Sequence, residues 1–203
     1  MSLLDELTHE PSWEIVRLFP RQGLWSEEEY LRLQTNRLVE LAGGCIEVLA
    51  RPSRLHQELV IYLCMLLRQV MQQHGLGGSA LLAPFSIRLG SSKFRQPDII
   101  YMLPENQSRE HETFWDEADL MMEILSPDDP ARDIVTKRRE YADAGILEYW
   151  IVDPNQKEIA VMRLQDGQYE VSQVVGHGAQ ARSHLLPQFV VDVDLMGQAA
   201  GQH

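Results

Sequence analysis

Gln96-Pro97-Asp98-Ile99-Ile100-Tyr101 and Leu120-Met121-Met122-Glu123-Ile124-Leu125-Ser126 are two short apolar runs, each carrying one acid. Runs of this length and composition predict β-strands. The acids fit them poorly, because a buried carboxylate is costly unless it is paired or holds a metal. Pro97-Asp98 alone is an ordinary strand-end turn cap. Glu123 stands out more, since glutamate has little β-propensity and Met122 and Ile124 flank it. Two readings stay open for it: a solvent-facing position, which the alternation from Leu120 allows, or a charge held in place for a purpose. Two carboxylates on short strands invite a hard divalent cation, Mg²⁺ or Mn²⁺.

Downstream, Pro127-Asp128-Asp129-Pro130 reads as a turn, and Asp129 or Pro130 starts a helix over about 131–144 that ends at Gly145. Asp133, Lys137 and Tyr141 follow one another at i, i+4 and share one face of it. One reading is a surface Asp133–Lys137 pair, worth only ~0.3–0.5 kcal/mol. The other points Lys137 and Tyr141 across the sheet toward Asp98 and Glu123. The lysine then supplies positive charge where a phosphate gathers negative charge.

Upstream, Leu81–Leu89 reads as a strand, with Pro84 marking an edge or a late start. The turn Gly90–Lys93 joins it to 97–103 as an antiparallel pair, and 119–126 completes a meander. Apolar residues at helical spacing make 54–74 the clearest helix, closed by Gly75. Ser26 with Glu29 signals a capped helix to about Gln34. Leu38–Leu41 and Cys45–Leu49 around Ala42-Gly43-Gly44 form a hairpin. Residues 104–118 are an acidic loop with a helical turn. Leu147–Val152 is a strand, 158–175 a hairpin around Asp166-Gly167, and Phe189–Val193 a last strand. The fold class is α/β (α+β): a mixed sheet flanked by helices, with an added N-terminal helix and hairpin and a C-terminal hairpin.

The 203 residues fit a single domain over 1–203, and 44% apolar with 24% charged residues is an ordinary globular composition. No apolar run approaches a membrane span, and Met1–Glu6 lacks a basic start and an apolar stretch, so a cytoplasmic protein is expected. Cys45 and Cys64 have no CxxC partner and read as reduced thiols. His74, His111, His177 and His184 show no metal-ligand spacing. A net charge of −12 argues against general nucleic-acid affinity. Yet Arg51, Arg54, Arg68, Arg88, Lys93 and Arg95 face one acid, Glu58, between 51 and 97, whereas nine acids face Arg109 alone between 104 and 130. This pattern is either a polar face with a metal pocket or plain solvated surface.

Pro97-Asp98, Glu123-Ile124-Leu125 and Lys137 with Tyr141 resemble the PD-(D/E)XK nuclease superfamily. Its usual lysine lies two residues after the second acid, where this chain has Leu125, so Lys137 reads as a migrated lysine. A closer match over about residues 25–175 adds Val39-Glu40-Leu41 with Gly44, His56, Gln96, Ser126-Pro127, Asp133, Gly145 and Glu148-Tyr149-Trp150-Ile151-Val152-Asp153-Pro154. This ordered set resembles a bacterial family of restriction-endonuclease-like proteins, the Uma2 type.

The resemblance implies a metal-dependent phosphodiesterase acting on nucleic acid, DNA first, with no membrane partner and a homodimer left open. Asp98 and Glu123, helped by the Ile124 carbonyl, are the implied Mg²⁺ (or Mn²⁺) ligands. Lys137 is the implied charge stabiliser, with Tyr141 beside it. The family pattern makes Glu40 a site-edge acid assisting a second metal or holding water, against an exposed strand glutamate. It makes His56 a metal-proximal or phosphate-facing group, against a surface histidine in a helix's first turn. Two rivals remain: a non-catalytic nuclease-fold module binding nucleic acid or a protein, and a metallohydrolase of small phosphodiesters.

Overall fold

The computed structural model describes residues 19–126, 132–199 and 201. Ser26 accepts the Glu29 N–H and Glu29 reciprocates, so the capping box opens α1 (Glu27–Leu31), a helix shorter than its expected end at Gln34. Strands β1 (Val39–Ala42) and β2 (Cys45–Val48) form the expected hairpin. Gly43 and Gly44 turn it, both at positive φ, and a Cβ on Gly44 would lie 2.7 Å from the Gly23 carbonyl oxygen. Helix α2 (Arg54–His74) is capped by Ser53 and ended by Gly75 in the left-handed region.

The expected strand 81–89 is two strands. β3 (Ser79–Leu82) and β4 (Ser86–Arg88) belong to different sheets, separated at Ala83-Pro84, where proline has no N–H for a ladder. The turn at 90–93 therefore pairs β4 with β5 (Lys93–Arg95), and not with β6 (Ile99–Met102), which pairs with β3. The acidic loop contains a 3₁₀ turn (Pro104–Arg109) and a short strand, β7 (Phe114–Asp116). β8 (Leu120–Ile124) follows. The next helix begins as a π turn (Arg132–Lys137) and continues as α3 (Arg138–Asp143). The turn at Pro127–Pro130 and the helix start at Asp129 or Pro130 lie outside the described residues, as does the Asp133 side chain. β9 (Glu148–Asp153), β10 (Glu158–Gln165) and β11 (Gln168–Val175) come next. The last expected strand is β13 (Val190–Asp192), paired with an unforeseen β12 (Gln180–Arg182) and followed by α4 (Val193–Ala199).

A six-stranded mixed sheet runs β11-β10-β9-β8-β6-β3, and a five-stranded one β2-β1-β5-β4-β7. The meander survives as β3, β6 and β8, all antiparallel neighbours. β8 and β9 are parallel, so the chain between them must cross over one face of the sheet. That crossover is the helix carrying Lys137 and Tyr141.

Alternation along β6 and β8 divides the core. Ile99, Tyr101, Leu120, Met122 and Ile124 pack against α2 through Leu59, Leu63 and Leu67. Ile100, Met102 and Met121 pack on the other face with Tyr141, Ile146 and Tyr149. Both Tyr149 and Trp150 are buried, one on each side. Glu123 shares the parity of Met121, which puts it on the face covered by the crossover helix.

Candidate active site

Ile99 pairs with Met122 in the antiparallel ladder. Continued by one residue, that register sets Asp98 opposite Glu123, with both side chains on one face. Both line a cavity of about 290 Å³, together with His56, Gln96, Ile124, Ser126, Arg132 and Lys137. Leu38, Leu49, Leu55 and Pro52 form apolar walls, and Arg51 also lines the cavity.

Asp98 Oδ2 accepts the Ile124 N–H at 2.8 Å, which ties the two strand ends together. His56 Nε2 lies 3.1 Å from the same oxygen. The N-cap places this histidine, because its own N–H binds Ser53 Oγ at 3.1 Å. A strand residue turns its N–H and C=O to the same side, so the Ile124 carbonyl faces the Asp98 edge as well.

Glu123 is 3% exposed, so the solvent-facing reading of it is excluded. Lys137 Nζ donates to its Oε1 at 2.8 Å and Tyr141 Oη donates to the same atom at 2.6 Å. Burial, then the Glu123 charge, pushes the Tyr141 phenol well above its ordinary value, so it is a neutral donor. Tyr141 does not line the cavity; it holds Glu123 from behind.

Glu40 is 0% exposed and also lies behind the cavity wall, which excludes the exposed-strand reading. Arg95 Nη1 binds it at 2.8 Å, Arg132 Nη2 binds it too, Lys137 Nζ stands 3.9 Å away, and the Gln96 N–H donates at 3.0 Å. Burial alone would raise the Glu40 carboxyl, but Lys137, Arg95, Arg132 and that N–H outweigh it and hold it below its ordinary value.

Arg95, 2% exposed, is the residue that sequence reading missed. Its Nε and Nη2 grip both oxygens of Glu140 at 2.8 and 3.0 Å, and its Nη1 also binds Glu47 at 2.5 Å. The three acids are scattered over β1, β2 and α3, so no spacing announces them. The available signal was the burial cost of a charge beside Phe94 and Pro97. The basic stretch 51–97 is accordingly not one binding face: Lys93 binds Glu140, Arg88 binds Glu27 and Asp116, and Arg68 donates to the Ala80 carbonyl.

A crossover helix sends a lysine to a carboxylate on the preceding strand, with a second carboxylate opposite it on the adjacent strand. The fold that carries this arrangement is of the restriction-endonuclease-like class. A family model described as "Uma2: Putative restriction endonuclease" matches residues 27–194, and the chain belongs to that family. A crystal structure described as that of "a putative nuclease belonging to DUF820 from Anabaena variabilis" has the same fold, with a TM-score of 0.71, 19% identity, and coverage of 89% of this chain and 99% of that one. No curated protein matches. No helix among the described residues is long and apolar enough to cross a membrane.

Proposed function

We propose that the chain is a divalent-metal-dependent phosphodiesterase that cleaves nucleic acid, DNA first, as an endonuclease. The observation that carries the reading is that Asp98, Glu123, Ile124 and Lys137 meet in one cavity. The donor set fits Mg²⁺ or Mn²⁺. Its oxygens are hard, and Mg²⁺ is commonly held by one or two carboxylates, with water and substrate phosphate completing the shell. Among the described residues no three His, Cys, Asp or Glu side chains form a group that could hold a metal ion; the proposed donors are two carboxylates and one backbone carbonyl.

Asp98, Glu123 and the Ile124 carbonyl are the groups that would hold the cation. Bound there, it would acidify a water and offset phosphate charge. Lys137 faces the cavity with its ammonium on Glu123 and is placed to meet charge that develops on the phosphoryl oxygens. His56, on the wall with Nε2 3.1 Å from Asp98 Oδ2, is a metal-proximal or phosphate-facing group that can orient that carboxylate. Tyr141 orients Glu123. Glu40 acts from behind, as a fixed negative charge near the Lys137 ammonium and the Arg132 guanidinium.

Supercoiled plasmid incubated with Mg²⁺ or Mn²⁺ tests the reading. Cleavage by the parent and none by Asp98→Asn is the expected result. A parent that binds DNA without cutting any nucleic acid would replace it with the binding-module reading. Activity on small phosphodiesters alone would replace it with a small-molecule hydrolase.

A further inference from the structure

The lysine of this site stands on a different element from the carboxylate it serves, so something must fix the helix against the strands. We infer that Arg95 is a positioning residue that locks Lys137 in place by clamping Glu140 on the helix to Glu40 and Glu47 on the β1–β2 hairpin. The inference rests on the nuclease reading above and assigns a role that the reading does not need.

The geometry is specific. Glu140 lies one helical turn beyond Lys137, and Arg95 holds it through two parallel N–H···O bonds, 2.8 and 3.0 Å. A fork of this kind fixes orientation as well as distance. Lys93 reinforces it on Glu140 Oε1 at 3.1 Å. On its other side Arg95 holds Glu40 and Glu47, and Glu40 faces the Lys137 ammonium at 3.9 Å. Arg95 also belongs to the short stretch that ends in Asp98. One guanidinium thus links β5, whose end leads into Asp98, with the hairpin behind the site and the helix carrying the lysine. The turn leading to Lys137 is π-type, not regular α-helix, a geometry frequent at functional sites.

Energetics point the same way. Burying an arginine with two or three glutamates adds little net stability compared with apolar packing of equal volume. An apolar residue would fill the space but could not set the angle of the helix. Placement of the reacting groups is where a small angular error is costly, since about 1 Å of misplacement costs ~10²-fold in rate.

The test compares the full chain with Arg95→Lys and Glu140→Gln, each alone and combined with Lys137→Ala. The readouts are the rate of plasmid cleavage at saturating Mn²⁺, Mn²⁺ affinity by calorimetry, and melting temperature. Arg95→Lys keeps the charge and loses the fork. Glu140→Gln, on a partly exposed side chain, keeps the test open if the arginine variant does not fold. Either single change should lower the maximal rate by ~10–10²-fold and leave KM and Mn²⁺ affinity unchanged. In the Lys137→Ala background neither should lower it further, because the effect runs through that lysine. Losses that multiply with Lys137→Ala, or a clamp variant as fast as the parent, would overturn the inference while the nuclease reading stands. A parent that cuts no nucleic acid overturns both.

Discussion

Lys137 Nζ meets Glu123 Oε1 at 2.8 Å although the two residues lie on different elements, one on the crossover helix and the other on β8. The position two residues after Glu123, just past the end of β8, is occupied by Leu125, which is buried in the core on the helix-covered face. A lysine there would have to exclude that packing. The helix supplies the cation instead, at the same carboxylate.

Lys137→Ala should leave Mn²⁺ binding nearly intact, since an ammonium is not a ligand for a hard cation. Cleavage should fall by ~10²–10³-fold, the usual loss when one preorganised charge stabiliser is removed. Calorimetry and plasmid cleavage on the same preparation separate the two effects. A variant that cuts as fast as the parent would make the lysine structural, a partner of Glu123 and nothing more.

The carboxylates behave differently. Asp98→Asn or Glu123→Gln removes a charge from the proposed metal site and should abolish both Mn²⁺ binding and cleavage. The parent should melt at a higher temperature with millimolar Mn²⁺, because a ligand that binds only the folded state stabilises it by mass action. The two variants should lose that shift. A parent melting temperature indifferent to Mn²⁺ and Mg²⁺ would remove the metal from the proposal.

Much of this arrangement was legible in the sequence where the signal is local. Ser26 with Glu29, the Gly43-Gly44 turn, the apolar stripe of α2 and the Pro97-Asp98 and Glu123 runs each declare their element. The Lys137–Tyr141 spacing also held, because four residues still return both side chains to Glu123. What stayed hidden is non-local. Pro84 divides one apparent strand between two sheets, and the β4–β7 pairing is a parallel contact across the acidic loop. The Arg95 cluster assembles acids from three elements. Glu40 was read as a site-edge acid, but only the folded chain reveals that it is buried against the cations that support the site.

Stability should depend on acid in a way that Glu40 and Glu140 set. Burial works to raise both carboxyls, but the cations around them outweigh it, so both stand below the ordinary 4.5. A carboxyl lowered in the folded state contributes stability that is complete above its unfolded value and is lost as pH falls through the folded one. Urea midpoints should therefore be flat near neutral pH and decline below about pH 4.5. Glu40→Gln should unfold more easily at pH 7, by ~3–5 kcal/mol, because it leaves buried cations short of a partner. It should also show a shallower decline in acid. Parallel pH curves for parent and variant would show that Glu40 does not carry the acid dependence.

The core on the other face gives a control that is independent of the site. Leu63 is fully buried between α2 and the six-stranded sheet. Leu63→Ala should cost ~2–5 kcal/mol in chemical denaturation while Mn²⁺ affinity at low denaturant stays that of the parent. Loss of metal binding in a folded Leu63→Ala protein would mean that the strand ends carrying Asp98 and Glu123 depend on α2 packing more than their own hydrogen bonds imply.

Tyr141→Phe isolates the group that holds Glu123 from within the core. The phenol donates to Glu123 Oε1 at 2.6 Å, and burial followed by the charge of Glu123 keeps it protonated far above neutral pH. It therefore cannot serve as a base, and its removal should not change the shape of the pH–rate profile. The variant leaves Glu123 with one donor fewer, so the carboxylate should be less firmly oriented and the rate should fall by about tenfold, in proportion to ~1–1.5 kcal/mol for one lost hydrogen bond. Lys137 remains on the same oxygen, which limits the damage. The rate measured from pH 6 to 10 in parent and variant is the check. A basic limb that disappears in Tyr141→Phe would make the tyrosine a titrating participant and would contradict its burial. A rate loss as large as that of Glu123→Gln would instead mean that the tyrosine, more than the lysine, keeps the carboxylate in its working position.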